Sequence, residues 1–178
     1  MRLAVRDTVL ATTAALVAEH GLRGVTMSRI AQDSGIGRAT LYKYFPDVES
    51  ILMAWHERQI ASHLQEFASL RDRAGTPGER LAAVLERYAV IQQQRHGHGE
   101  EFSAVLHRSS HAAHAEQHLR HFIQDLLAEG VQAGEIRDDV TPDEFAGYCL
   151  RALAAAAGLS SQAAVRRLVT VTLSGLTP

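Results

Sequence analysis

The sequence predicts an all-α chain in two parts, an N-terminal three-helix head over residues 1–47 and a C-terminal helical body over 48–178. Three observations predict it. Apolar residues make up 46% of the chain and aromatic ones only 6%. Apolar positions recur at helical intervals, and no run alternates as a half-buried strand would. Helix-start signals at Thr26, Asp47, Thr76 and Thr141 divide the chain into segments of helix length. A chain of 178 residues is long enough to bury a core.

In order, residues 1–5 are expected to form a short arm, and the first helix to run from Arg6 to His20 with Val9, Leu10, Ala14, Leu16 and Val17 inward. Gly21 ends it. Thr26 caps the next helix, whose inward face is Ile30 and Ala31, and Gly35 stops it in a left-handed conformation. Gly37, a weaker cap than Ser or Thr, precedes a short helix over Arg38–Tyr44, with Leu41 and Phe45 pointing back at the crossing. Asp47 caps a long helix over Val48–Arg71, whose stripe is Leu52, Trp55, His56, Ile60, His63, Leu64 and Phe67.

Thr76-Pro77-Gly78-Glu79 is a capping box with proline at the first helical position, opening a helix to Arg95. The HGHG stretch at 96–99 is expected to break it, and a short helix to span Glu100–Arg108. A longer helix follows over His114–Gln132, ended by Gly134. Thr141-Pro142-Asp143-Glu144 is a second capping box, starting a helix to Ala157, and Ser160 or Ser161 starts the last helix, to Ser174.

The stretch Val25–Phe45 carries the chemistry. Its second helix turns Arg38, Ala39, Thr40, Tyr42, Lys43 and Tyr44 outward, and Thr26 and Ser28 lie at the start of the first. These are hydrogen-bond donors with one small residue where close approach helps, as a helix in a DNA major groove requires: guanidinium and ammonium for guanine edges or phosphates, hydroxyls for phosphate oxygens. The plainer reading is a surface helical hairpin with solvated polar groups. A net charge of −2 excludes a generally basic nucleic-acid coat, so any DNA contact must be local. Residues 1–50 hold six basic and five acidic side chains, a net +1, which leaves −3 for the rest.

The segments AALVAEHG, VTMSRIA and GIGRATLYKYF, followed by the acidic cap at Asp47, resemble the TetR/AcrR family of one-component repressors. The resemblance is specific over roughly the first 55 residues and rests on helix pattern beyond them. It implies a helix-turn-helix head that binds double-stranded DNA at a palindromic operator as a homodimer, and a ligand-binding and dimerisation body. Two positions depart from the family pattern. Gly37 stands where a polar capping residue is usual, and Val48 where a lysine commonly reaches a phosphate, so one electrostatic contact is expected to be missing.

In the body, an unknown small-molecule effector is expected to lodge between the long helix and its neighbours, against His56, Ile60, His63, Leu85, Tyr88, Phe102, Phe122 and Leu126. The last two helices are apolar around much of their circumference, and Leu150, Leu153, Ala156, Ala164, Leu168 and Val171 are assigned to the dimer seam, where small alanines permit close approach. The chain has ten histidines, and His107/His111 and His114/His118 are i, i+4 pairs, joined at a helical interval by His121. That spacing suits two imidazoles on one metal, but no HExxH arrangement accompanies it, and a solvated histidine face is the preferred reading. No metal or cofactor is assigned.

The single cysteine, Cys149, excludes an internal disulfide and a thiolate metal site. No nucleophile elbow, phosphate loop, paired catalytic carboxylates or dinucleotide fingerprint appears, so the sequence does not read as an enzyme. With no signal peptide and no membrane-spanning apolar run, the expected location is cytoplasmic. The reading is therefore a ligand-responsive DNA-binding repressor. A metal-responsive regulator using the histidine-rich helices and an architectural DNA binder without ligand are the alternatives.

Overall fold

The computed structural model describes residues 2–95 and 110–178. They form eight α-helices: α1 Arg2–His20, α2 Met27–Ser34, α3 Arg38–Tyr44, α4 Val48–Arg71, α5 Pro77–Arg95, α6 Ser110–Gln132, α7 Pro142–Ala154 and α8 Gln162–Ser174. No strand occurs among the described residues, and the all-α expectation holds. The expected break at 96–99 and short helix at 100–108, with Phe102 and His107, lie outside the described residues. Two compact units divide the chain: the first reaches Ala61 and also takes the start of α6 through Ala112, and the second holds the residues from Ser62 and again from Ala113 onward. The first thus takes in the start of α4, beyond the expected head of residues 1–47.

The first unit is built on α1, α2, α3 and the opening half of α4. The expected N-terminal arm is instead the first turn of α1, since nothing in Arg2-Leu3-Ala4-Val5 opposes helix. Gly21, at φ 67°, ends α1, and its N–H bonds Val17 O at 3.0 Å. Thr26 caps α2, its hydroxyl accepting from Arg29 N at 3.2 Å, and Gly35 closes it with φ 67° and ψ 12°. The core of this unit joins Val9, Leu10, Leu16 and Val17 of α1 to Ile30, Leu41, Phe45, Ile51 and Trp55. Ile51, rather than the predicted Leu52, is the fully buried residue at the start of α4. Burying side chains of this size is worth about 1.5–3 kcal/mol each.

The second unit packs the end of α4 with α5, α6, α7 and α8 around Leu81, Val84, Leu85, Ile123, Leu126, Leu127 and Leu153. Its helix starts are fixed by side chains. The Thr76 hydroxyl accepts from Glu79 N at 3.2 Å, while Glu79 accepts from Thr76 N at 3.0 Å. Glu135 adds a tie from the far side of α6, accepting from Thr76 Oγ1 and Gly78 N at 2.9 Å each. A Cβ on Gly78 would stand 2.6 Å from that carboxylate, so glycine permits the tie. At Thr141 both arms of the capping box form, and Ser161, of the two candidate serines, caps α8.

Three sequence-based readings shift. Helix α6 starts at Ser110, four residues before His114. Helix α7 ends at Ala154, and Ala155–Gly158 tightens into a 3-10 turn, where the expectation carried the helix to Ala157. A run of alanines offers no side chain to mark where the geometry changes. The third shift concerns the seam. Leu150, Leu153 and Ala156 are buried within the chain's own core, so their side chains are already spent before any partner arrives. Ala164 and Leu168 are half-buried, and Val171 is 65% exposed.

Candidate nucleic-acid interface

Helix α3 is held from one side only. Leu41 is fully buried and Phe45, its C-cap, nearly so. Because a helix turns 100° per residue, fixing Leu41 and Phe45 inward sends Ala39, Thr40, Tyr42 and Lys43 outward; Arg38 shares the side of Leu41 but opens the helix, and all five are exposed. Tyr42 is 54% exposed, unusual for so large an apolar ring. Tyr44 departs from expectation. It is half-buried and packs against the head core, so only part of it can face outward.

The turn between the helices is set by more than its glycines. The Ser34 hydroxyl accepts from Ile36 N at 3.3 Å while donating to Ala31 O at 3.4 Å, a local tie that the apolar pattern did not reveal. Gly37 makes no side-chain cap. Thr26 and Ser28 lie exposed at the start of α2, and the Arg38 guanidinium donates from Nη2 to Ser28 Oγ, joining the two helix starts. Arg29 reaches back to Gly24 O at 3.4 Å. The Arg6 guanidinium sits 5.4 Å from the centre of the Phe45 ring. Val48 is half-buried against the head core, so apolar packing occupies the position where the family commonly has a lysine.

The residues expected around an effector fall in both units. His56 and Ile60 belong to the first and are half-buried. In the second unit Leu85 and Leu126 are fully buried in one core, with Tyr88 and Phe122 packed against it, and His63 is half-buried on α4. The outer face of Phe122 carries Arg71, whose guanidinium lies 4.5 Å from the ring centre. His114, His118 and His121 are exposed on α6, and the side chain of His111 lies outside the described residues. Among the described residues no three His, Cys, Asp or Glu side chains are grouped to hold a metal ion. None of the described helices is long and apolar enough to cross a membrane.

Comparison with known proteins agrees with this geometry. The family described as bacterial regulatory proteins, tetR family, matches residues 9–54, and the SbtR-like transcriptional regulator C-terminal domain matches residues 76–178. The chain belongs to the TetR family. Its family and relatives are transcriptional regulators rather than enzymes. The fatty acid metabolism regulator protein of Bacillus subtilis is 23% identical over 128 residues, covering 69% of this chain and 66% of that protein. The transcriptional repressor KstR2 of Mycobacterium tuberculosis is 25% identical over 146 residues, covering 78% of this chain and 72% of that one. The chain spans between 61% and 66% of the first curated relatives it matches. A TetR/AcrR-family regulator from Thermobifida fusca shares the fold at a TM-score of 0.80, with 22% identity, 96% of this chain and 97% of that chain covered.

Proposed function

We propose that this TetR-family chain is a repressor that binds a palindromic operator as a homodimer and releases it when a small apolar molecule enters the body. The observation that carries the DNA-binding half is α3 itself. Its inner face is pinned by Leu41 and Phe45, while Thr40, Tyr42 and Lys43 are exposed along it and Arg38 is exposed at its start. A guanidinium at the start of a short helix and an ammonium and hydroxyls exposed along it are the groups that read base edges and hold phosphates. The test is a gel-shift assay with purified protein on DNA from its own promoter region. Arg38→Ala/Lys43→Ala should lose binding by at least tenfold, since each lost base or phosphate contact is worth about 1–3 kcal/mol. Wild-type protection by that double variant would refute the assignment of α3.

The effector half is supported by the apolar environment of Leu85, Tyr88, Phe122 and Leu126 in the second unit. It is also supported by relatives named for fatty acid metabolism and as a KstR2 repressor. The effector we favour is a largely apolar organic molecule with one polar end, the end meeting His63 or Tyr88. Helix α4 contributes to both units, its residues through Ala61 to the first and those from Ser62 to the second. A ligand that displaces its second half therefore acts on the same helix that carries Ile51 and Trp55 in the head core. Homodimerisation draws support from the exposed side chains. Of the three large apolar side chains left exposed among the described residues, Tyr42 lies on α3, while Tyr148 and Val171 lie on α7 and α8. We assign the seam to those two residues with Ala164 and Leu168, in place of the buried Leu150, Leu153 and Ala156.

A further inference from the structure

The hydrogen bond from Arg38 to Ser28 joins two exposed side chains ten positions apart in sequence. The apolar packing of the two helices is made by Ile30 and Ala31 of α2 and Leu41 of α3 in the head core, whereas this bond lies between exposed side chains. Its effect is on Arg38. The cap at Thr26 makes Met27 the first residue of α2 and so places Ser28 in the first turn, beside the residue that opens α3. An untethered arginine carries about 2 kcal/mol of rotamer entropy, part of which is removed in advance when one N–H is engaged. Of the five guanidinium N–H donors, one is used, and those remaining suffice for a bidentate pair with guanine O6 and N7.

Resting on the DNA-binding reading above, we propose that Ser28 is a positioning residue: it aims the Arg38 guanidinium at one guanine in each half-site and so sets sequence preference without touching a base. The competing role for an exposed serine at this place is a phosphate contact. The two roles predict different results. A positioning residue alters preference at one base pair, whereas a phosphate contact alters affinity for every sequence and the salt dependence with it.

The experiment is a selection from a randomised duplex DNA pool, read by sequencing, with the full-length wild type, Arg38→Ala, Ser28→Ala and Ser28→Thr. Salt titrations on the enriched duplex accompany it. Wild type should enrich a motif in which Arg38→Ala erases one guanine per half-site. Ser28→Ala should weaken that same guanine preference roughly 3- to 10-fold, a fraction of what a bidentate pair provides, and leave the other positions and the salt slope unchanged. Ser28→Thr, which keeps the hydroxyl, should restore it. A Ser28→Ala motif identical to wild type overturns the inference, as does a change at a position that Arg38→Ala leaves intact. Uniform weakening with the salt slope reduced by about one also overturns it, in favour of a phosphate contact. If the wild type enriches no motif, the DNA-binding reading itself fails and this inference fails with it.

Discussion

Cys149 shows what a fully buried position does to a reactive group. It lies in α7 within the body core, and burial pushes its thiol up to about 12, because an apolar surrounding penalises the thiolate. At neutral pH it stays protonated, so the native protein should not react with a thiol-specific reagent such as dithionitrobenzoate, whereas the unfolded chain should release one equivalent. Rapid labelling of the native protein would show that α7 opens locally. The adjacent contrast is between Leu153, at 0% exposure, and Val171, at 65%. Leu153→Ala should cost about 2–5 kcal/mol, the lost transfer energy plus the cavity left behind. Val171→Ala should move the stability of the isolated chain by no more than about 0.5 kcal/mol. Urea unfolding curves measure both, and equal costs would contradict the burial assigned to these two residues.

At the scale of the element, α7 is fastened at its start. Thr141 and Glu144 cap each other, and the Thr141 hydroxyl beside Glu144 holds that carboxyl below its usual range. One residue earlier, the Arg120 guanidinium of α6, donating at 2.7 Å, and then Gln124 hold the Asp143 carboxyl low as well. Arg137 does the same for Asp139. Each carboxylate is more acidic folded than unfolded, so the folded state binds fewer protons. The stabilisation is therefore complete above the ordinary carboxylate range of about 4 and is lost as the pH falls through the lowered values. These pairs are exposed and individually weak. Melting temperature should be flat from pH 7 to about 5 and then decline, and Thr141→Ala should flatten part of that decline. Thr141→Ala should also lose about 0.5–2 kcal/mol at pH 7, read as a drop of about 2–4 °C per kcal/mol. A variant that melts with wild-type temperature and pH profile would show that α7 starts without this cap.

For the molecule as a whole, dimerisation and release are the measurable consequences. With Tyr148 and Val171 left exposed on the last two helices, Val171→Glu places a charge on the proposed seam without entering the core. Sedimentation should then show a monomer that keeps wild-type helicity by circular dichroism but loses operator affinity, because one head makes half the contacts. A Val171→Glu dimer would move the seam elsewhere. In the proposed dimer on DNA the two α3 helices should lie about one helical turn apart, roughly 34–36 Å, which hydroxyl-radical footprinting of the half-site spacing would check. Taking an operator from nearly full to nearly empty demands that the effector favour the released state by about 5.5 kcal/mol, a factor of ~10⁴. Titrating candidate apolar compounds with one polar end should therefore raise the operator dissociation constant steeply for the active one and leave it unchanged for the rest.

What the sequence determined by itself is local. Thr26, Gly35, Thr76 and Thr141 each act within a turn or two of their own backbone, and the caps and stops they predict appear where expected. The outward set Ala39, Thr40, Tyr42 and Lys43 of α3 was legible for the same reason, since Leu41 and Phe45 fix one side and the helical period dictates the other. What the tertiary structure decided is the allocation of apolar side chains among competing neighbours. An apolar residue has no address in the sequence: Leu150, Leu153 and Ala156 read as well for a partner as for the core, and only the packing of α5 and α8 on α7 shows that the chain itself consumes them. Tyr44 and Val48 were drawn inward by the head core in the same way. The bond between Arg38 and Ser28 lay beyond sequence reasoning altogether, because it depends on two helix starts meeting in space, and periodicity along one helix carries no information about that meeting.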